Sequence, residues 1–352
     1  MACPYGLVAE TEREPLMILR PIHLVLAALC VLRPSASSAQ TGTPATPPDV
    51  IRLGILGCDT SHVIAFTKML NDDKDPNHVP GARVVAAFPG GSADIPSSID
   101  RVPGYVKELK EKFGVEILET AEAVVAKADA ILVESVDGRP HLDLARPVFA
   151  AKKRCYIDKP LAGSLKDAKE IARLAKESGT PFFSASSLRF SDMVRNVKGN
   201  AALGDILGAD AWSPAAYEPH HPDLFWYGVH GVETLYAFMG PGCVSVQRTA
   251  TEGTDVVTGR WKDGRIGTFR GKRAGPHDYG SVVHGSKATL TTGKPEAALY
   301  RNLVVEIVKF LRGGEAPVSV EEMLEVLAFM EGADESRRNN GGTVNLEELQ
   351  KK

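Results

Sequence analysis

Short apolar runs alternate with segments whose apolar residues recur at helical spacing through the first half of this chain. Ile51-Arg-Leu-Gly-Ile-Leu-Gly57 ends in glycine, as a buried parallel strand does. Ala65, Phe66, Met69 and Leu70 then mark one face of a helix. The same alternation predicts strands at 82–88, 115–118, 130–135, 154–158 and 181–184, and helices at 106–113, 120–128 and 141–150. Ser164, with Asp167 three residues on, reads as the capped start of a helix that Gly179 ends. Strand following helix in this way implies a parallel sheet with right-handed crossovers.

From about residue 204 the pattern changes. The runs at 244–250, 255–261 and 265–270 alternate in polarity and are joined by Asp-Gly-type turns, the signature of an antiparallel sheet with one solvated face. Helical periodicity returns at 299–312 and 320–338. The fold class expected is therefore an α/β N-terminal domain with a doubly wound parallel sheet, followed by an α+β domain on a mostly antiparallel open sheet.

Residues 1–39 read as a leader rather than as fold. The apolar stretch 24–32 is too short to span a bilayer, and Ser35-Ala-Ser-Ser-Ala39 has the small residues of a signal-peptide cleavage site. Export by a Sec-type signal is the expectation, with a cytoplasmic protein as the alternative, and 40–49 is a Pro/Thr linker. The domains then run 50–162 and 163–352. With 41 basic and 44 acidic residues, net charge −3 and no basic block, neither nucleic acid nor an anionic membrane is an expected partner. Cys58, Cys155 and Cys243 are too widely spaced for a metal pattern and read as small buried apolar residues.

The candidate chemistry centres on Asp158-Lys159-Pro160. Proline confines the preceding residue to extended geometry, which holds Lys159 at a strand end, the edge where open α/β sheets bind ligands. With Gly54-Ile-Leu-Gly57, Ala130-Ile-Leu-Val-Glu-Ser135, Pro140-His141, Leu188-Arg189-Phe190, Gly204-Asp-Ile-Leu-Gly and Gly228-Val-His230-Gly-Val-Glu233, it resembles the Gfo/Idh/MocA family (glucose–fructose oxidoreductase and inositol dehydrogenase) from about residue 51 onward. The resemblance implies a Rossmann domain binding NAD or NADP, a second domain covering the nicotinamide, and a homo-oligomer. It implies catalytic roles for Lys159 and His230 and cofactor contacts from Gly57, Cys58, Asp59, Thr60, Ser61, His62, Ser135, His141, Asp158 and Lys159. For the substrate it points to Arg189 and His230. The segment Tyr217-Glu-Pro-His-His-Pro-Asp-Leu-Phe-Trp-Tyr227 adds Glu218 and Tyr227, whose hydrogen-bonding and aromatic groups suit a sugar or cyclitol. His220 and His221 are poor joint metal ligands, because neighbours on a strand face opposite ways, and no metal is expected.

Three departures from the family pattern stand out. The phosphate loop has Asp59 and His62 where the family's second and third glycines fall. A carboxylate facing a pyrophosphate would be repelled by about 4 kcal/mol at contact in an effective dielectric near 20, so Asp59 is expected to turn back and cap the amides of Ser61 and His62. The end of the second strand carries Phe88-Pro-Gly-Gly-Ser92 in place of the acid that binds an NAD ribose, leaving NAD versus NADP open. Trp226 stands where relatives often carry Asp. Two further readings stay open on this evidence: an enzyme that retains NAD and cleaves glycosides through a transient keto-sugar, and a carbohydrate-binding protein on a degenerate Rossmann scaffold.

Overall fold

Parallel strand and covering helix recur through the first sheet of the computed structural model, which describes residues 50–351. The leader and the linker lie outside the described residues. The strands are β1 (Ile51–Leu56), β2 (Ala82–Phe88), β3 (Glu116–Ile117), β4 (Ala130–Val133), β5 (Cys155–Ile157) and β6 (Phe182–Phe183). Between them come α1 (Ser61–Asn71), α2 (Pro96–Ile99), α3 (Val102–Phe113), α4 (Ala121–Lys127), α5 (His141–Ala150) and α6 (Leu165–Ser178). The order β3-β2-β1-β4-β5-β6, parallel throughout, makes this a Rossmann sheet whose direction of growth reverses between β1 and β4. Its sixth strand lies beyond residue 162.

Local chemistry explains these boundaries. Ser164 accepts a hydrogen bond from the Asp167 amide at 3.0 Å and opens α6; Gly179, at φ 67°, closes it in the left-handed region. A Cβ on Gly54 would stand 2.5 Å from Val124 Cγ1, so glycine lets α4 lie directly on β1. β4 is buried along its whole length, as the continuous apolar run implied.

The second half holds α7 (Asp192–Lys198), β7 (Ile206–Pro214), α8 (Asp223–Trp226), α9 (Val229–Met239), β8 (Cys243–Ala250), β9 (Thr254–Trp261), β10 (Ile266–Lys272), β11 (Gly280–Gly285) and β12 (Thr289–Thr291). It ends with α10 (Leu299–Leu311), α11 (Val320–Arg338), β13 (Val344–Asn345) and α12 (Leu346–Lys351). The sheet order is β12-β11-β7-β10-β9-β8-β13, and β7 runs parallel to β10, so the sheet is mixed rather than purely antiparallel. One face alternates out to solvent; the other packs Phe269, Val257 and Val283 beneath α9, a helix buried almost all round. Leu188-Arg189-Phe190 forms a 3₁₀ turn (187–190) rather than a strand end, because the Ser186 hydroxyl accepts from the Leu188 amide and turns the chain.

Candidate functional site

The carboxyl edge of the first sheet meets α9, β11 and α10 at a cleft of about 260 Å³. Thr60, Ser61 and His62 reach it from the start of α1, and Lys159 from beyond β5. His230 enters from the first turn of α9, with Tyr227, Tyr279 and Tyr300 around it. Residues far apart in sequence converge because the cleft lies at the switch point, where loops from β1 and β4 diverge.

Lys159 is 7 % exposed, and its ammonium makes no ion pair or hydrogen bond within the described residues. Below it, Asp158 is fully buried and accepts from its own chain: from the Lys159 amide at 2.9 Å and the Tyr156 hydroxyl at 3.0 Å, with His62 Nδ1 2.8 Å from its other oxygen. Burial alone would raise this carboxyl; the His62 ring and the Lys159 ammonium outweigh it and hold Asp158 well below the usual carboxylate range. His62 stacks on Phe66 at 4.8 Å and meets Tyr300 edge-on.

His230 Nδ1 lies 2.7 Å from the Ser186 hydroxyl, which fixes the ring. Burial, and then the neighbouring Lys159 ammonium, push His230 well below the ordinary histidine range, so it is neutral at neutral pH. Glu134 was not singled out in the sequence. It follows β4 directly, is fully buried, and neither carboxylate oxygen has a partner. Burial, and then the charge of Asp158, raise it well above a normal glutamate. The only signal was an acid closing an otherwise apolar run.

The phosphate loop departs from expectation. Asp59 is fully buried and does not cap the helix. Its carboxylate accepts from the Ser98 hydroxyl at 2.5 Å and from the Val136 amide at 3.0 Å, tying the loops after β1 and β4 to α2. Thr60 is the cap, accepting from the His62 amide at 3.4 Å. Over the same strand end, Ser92 donates to Asp137 at 2.6 Å and Arg139 makes a two-pronged pair with Asp94 at 2.8 and 2.9 Å. Asp94, out of register for a ribose, is thereby engaged.

The residues present fit the nicotinamide-and-phosphate end of a dinucleotide. Gly57, at φ 92°, brings β1 so close to β4 that a Cβ would stand 2.9 Å from the Ser135 amide, and Ser61 and Thr60 open an eleven-residue helix beside Lys159. Beside it, the Ser92–Asp137 and Arg139–Asp94 contacts join the loops after β2 and β4.

Several candidate residues lie elsewhere. Arg189 is buried against Glu233 at 2.6 Å and Glu322 at 2.5 Å, so its guanidinium serves the interior rather than the cleft. Glu218 holds His220 at 3.0 Å and does not line the cleft, since the chain there loops toward Arg248. Of that aromatic segment Tyr227 reaches the cleft, whereas Tyr217 accepts from the buried Arg248 at 2.7 Å. Cys58 and Ser135 are buried, and His141 has carbonyl oxygens at both ring nitrogens, those of Pro160 and Ser135. These residues shape the loops and do not line the cleft. No cluster of three metal-ligating side chains occurs among the described residues.

Residues 83–186 match the model of an oxidoreductase family with an NAD-binding Rossmann fold. No functionally curated protein matches the chain in sequence. Among solved structures, scyllo-inositol dehydrogenase from Lactobacillus casei superposes with a TM-score of 0.70 at 16 % identity, over 86 % of this chain and all of that one. An oxidoreductase from Agrobacterium radiobacter gives 0.69 at 17 %, over 85 % and 99 %. A probable dehydrogenase from Thermotoga maritima gives 0.68 at 21 %, over 85 % and 100 %. Likeness at these identities establishes a shared fold.

Proposed function

We propose that the chain, whose residues 83–186 match the Gfo/Idh/MocA model of NAD-binding oxidoreductases, oxidises or reduces a CH–OH group of a sugar- or cyclitol-like substrate, with NAD or NADP as the partner. The observation that carries this reading is the unpaired Lys159 ammonium sharing one small cleft with the neutral His230 ring at the switch point of the sheet. Oxidation of an alcohol removes a hydride and a hydroxyl proton. The cofactor, when bound, accepts or supplies the hydride.

This chain's residues handle the rest. Lys159 places positive charge beside the reacting oxygen and stabilises developing alkoxide. His230, neutral and oriented by Ser186, takes the hydroxyl proton in oxidation and returns it in reduction. Asp158 is committed to His62 and to the Lys159 backbone, so it sets Lys159 in place rather than contacting substrate. Thr60 and Ser61, with the first-turn amides of α1, would hold the diphosphate. Tyr227 and Tyr279, whose hydroxyls lie 3.2 Å apart, offer hydrogen bonds to further substrate hydroxyls. A small polyhydroxy substrate agrees with the similar structures that hold NAD(H) with scyllo-inositol, or NAD⁺ with L-tartaric acid and magnesium.

Replacing Lys159 with Met tests the assignment. Turnover should fall by about 10²-fold or more, the scale of a lost acid–base or charge-stabilising group, while NAD(P) still binds by fluorescence titration. Undiminished turnover overturns the role given to Lys159.

A further inference from the structure

The cleft's charge is one-sided. Its lining holds two fixed cations, Lys159 and Arg101, with two histidines, three tyrosines and no carboxylate. The acids nearby are all turned away and buried: Asp158 against His62, Asp59 against Ser98 and Val136, and Glu134 in the interior with no partner. Arg101 precedes α3, and its guanidinium makes a single long hydrogen bond, 3.5 Å to the Asp59 carbonyl, and no ion pair among the described residues. Arg139 and Arg248, by contrast, are held by acids: Arg139 by Asp94 and Asp137, Arg248 by Asp255 and Asp334. The buried Lys159 ammonium, with no hydrogen-bond partner, and the exposed Arg101 guanidinium, with no ion pair, share this lining and present positive charge to whatever enters.

We infer that the substrate is an anion, a polyhydroxy carboxylic acid of the sugar-acid class, whose carboxylate is gripped by Arg101 while a neighbouring CH–OH faces Lys159 and His230. The inference rests on the oxidoreductase reading for the reacting group, but the charge argument stands apart from it. Guanidinium is the natural partner for a planar carboxylate, which it binds through two parallel hydrogen bonds. A volume of about 260 Å³ is at the small end of ligand sites and suits a single monosaccharide-sized acid. The tyrosine hydroxyls supply neutral hydrogen-bonding groups for the remaining hydroxyls. The same cation could instead meet the cofactor diphosphate, so the test separates the two.

Calorimetric titration of the whole protein with two matched pairs, D-gluconate against D-glucitol and D-galacturonate against D-galactose, with and without saturating NAD⁺, is the experiment. Within a pair the acid should bind about 10-fold or more tighter, the worth of a hydrogen-bonded charge pair, and added salt should weaken the acid alone. Arg101→Gln should erase the preference and leave NAD⁺ affinity unchanged; Arg101→Lys should keep part of it. Equal binding of acid and neutral partner, or no binding of either, overturns the inference. So does an Arg101→Gln protein that loses NAD⁺ and keeps the acids, since Arg101 would then serve the diphosphate. Acid preference without any NAD⁺ reduction would support the anion site and reject the oxidoreductase reading.

Discussion

Asp59 shows how a single residue reshapes a familiar loop. In sequence it is visible as an acid in a glycine's place, and the repulsion argument correctly turns it away from the phosphate position. The argument could not supply its partners, because Ser98 and the Val136 amide lie 39 and 77 residues away in the chain. Replacing Asp59 with Gly should therefore act in two directions. Loss of a buried, hydrogen-bonded carboxylate, which leaves a hydroxyl and an amide without an acceptor, should cost about 1–3 kcal/mol in urea unfolding. NAD(P) affinity should rise, because the loop regains its glycine and sheds a negative charge. A variant that is as stable as the parent, or that binds nucleotide more weakly, contradicts this account. His62 was equally visible and its pairing with Asp158 equally hidden.

At the scale of elements, boundaries were the most legible feature. The helix 141–150 and the caps at Ser164 and Gly179 fall where periodicity and capping chemistry put them, since those signals are local. The 3₁₀ turn at 187–190 follows from the Ser186 hydroxyl accepting the Leu188 amide, a contact that the apolar pattern does not reveal. Helix α9 carries the proposed proton carrier, His230, and its position depends on the next residue, Gly231. A Cβ there would stand 2.3 Å from the Phe269 ring. Gly231→Ala should overpack the contact between helix and sheet, with a stability loss of about 1–3 kcal/mol. It should also displace His230 and lower turnover more than substrate affinity. Thermal unfolding and steady-state kinetics on the purified variant check both; unchanged kcat would mean that α9 tolerates the shift.

Across the whole molecule, His221 joins the segment before α8 to the first sheet's loops. Its Nε2 accepts from the Gly138 amide at 3.3 Å, and its side chain is fully buried. Burial pushes it down to about 4, which the charge of Asp137 only partly opposes. A histidine depressed below its unfolded value of about 6.5 stabilises the fold above that pH, and the contribution disappears as pH falls from about 6.5 to 4. The melting temperature should drop across that window, and His221→Gln, which keeps an acceptor, should flatten the slope. Asp158, held well below its ordinary range, adds to the loss only at more acid pH, below its unfolded value of about 4. A parent protein with no change in melting temperature between pH 6.5 and 4 would remove His221 from this role.

The sequence by itself determined the kinds of elements, the parallel first sheet and alternating second, and the residue types on which the chemistry turns. It did so because hydrophobic period, capping and proline geometry act within a few residues. Tertiary structure decided which of those residues meet. It gathered Lys159, His230, Arg101 and three tyrosines around one cleft, buried Arg189 between two glutamates, and turned Asp59 and Asp158 inward. Those outcomes depend on which loops leave the sheet at its switch point and how the second sheet lies against them. Such contacts bridge tens to hundreds of residues, and no local pattern encodes them.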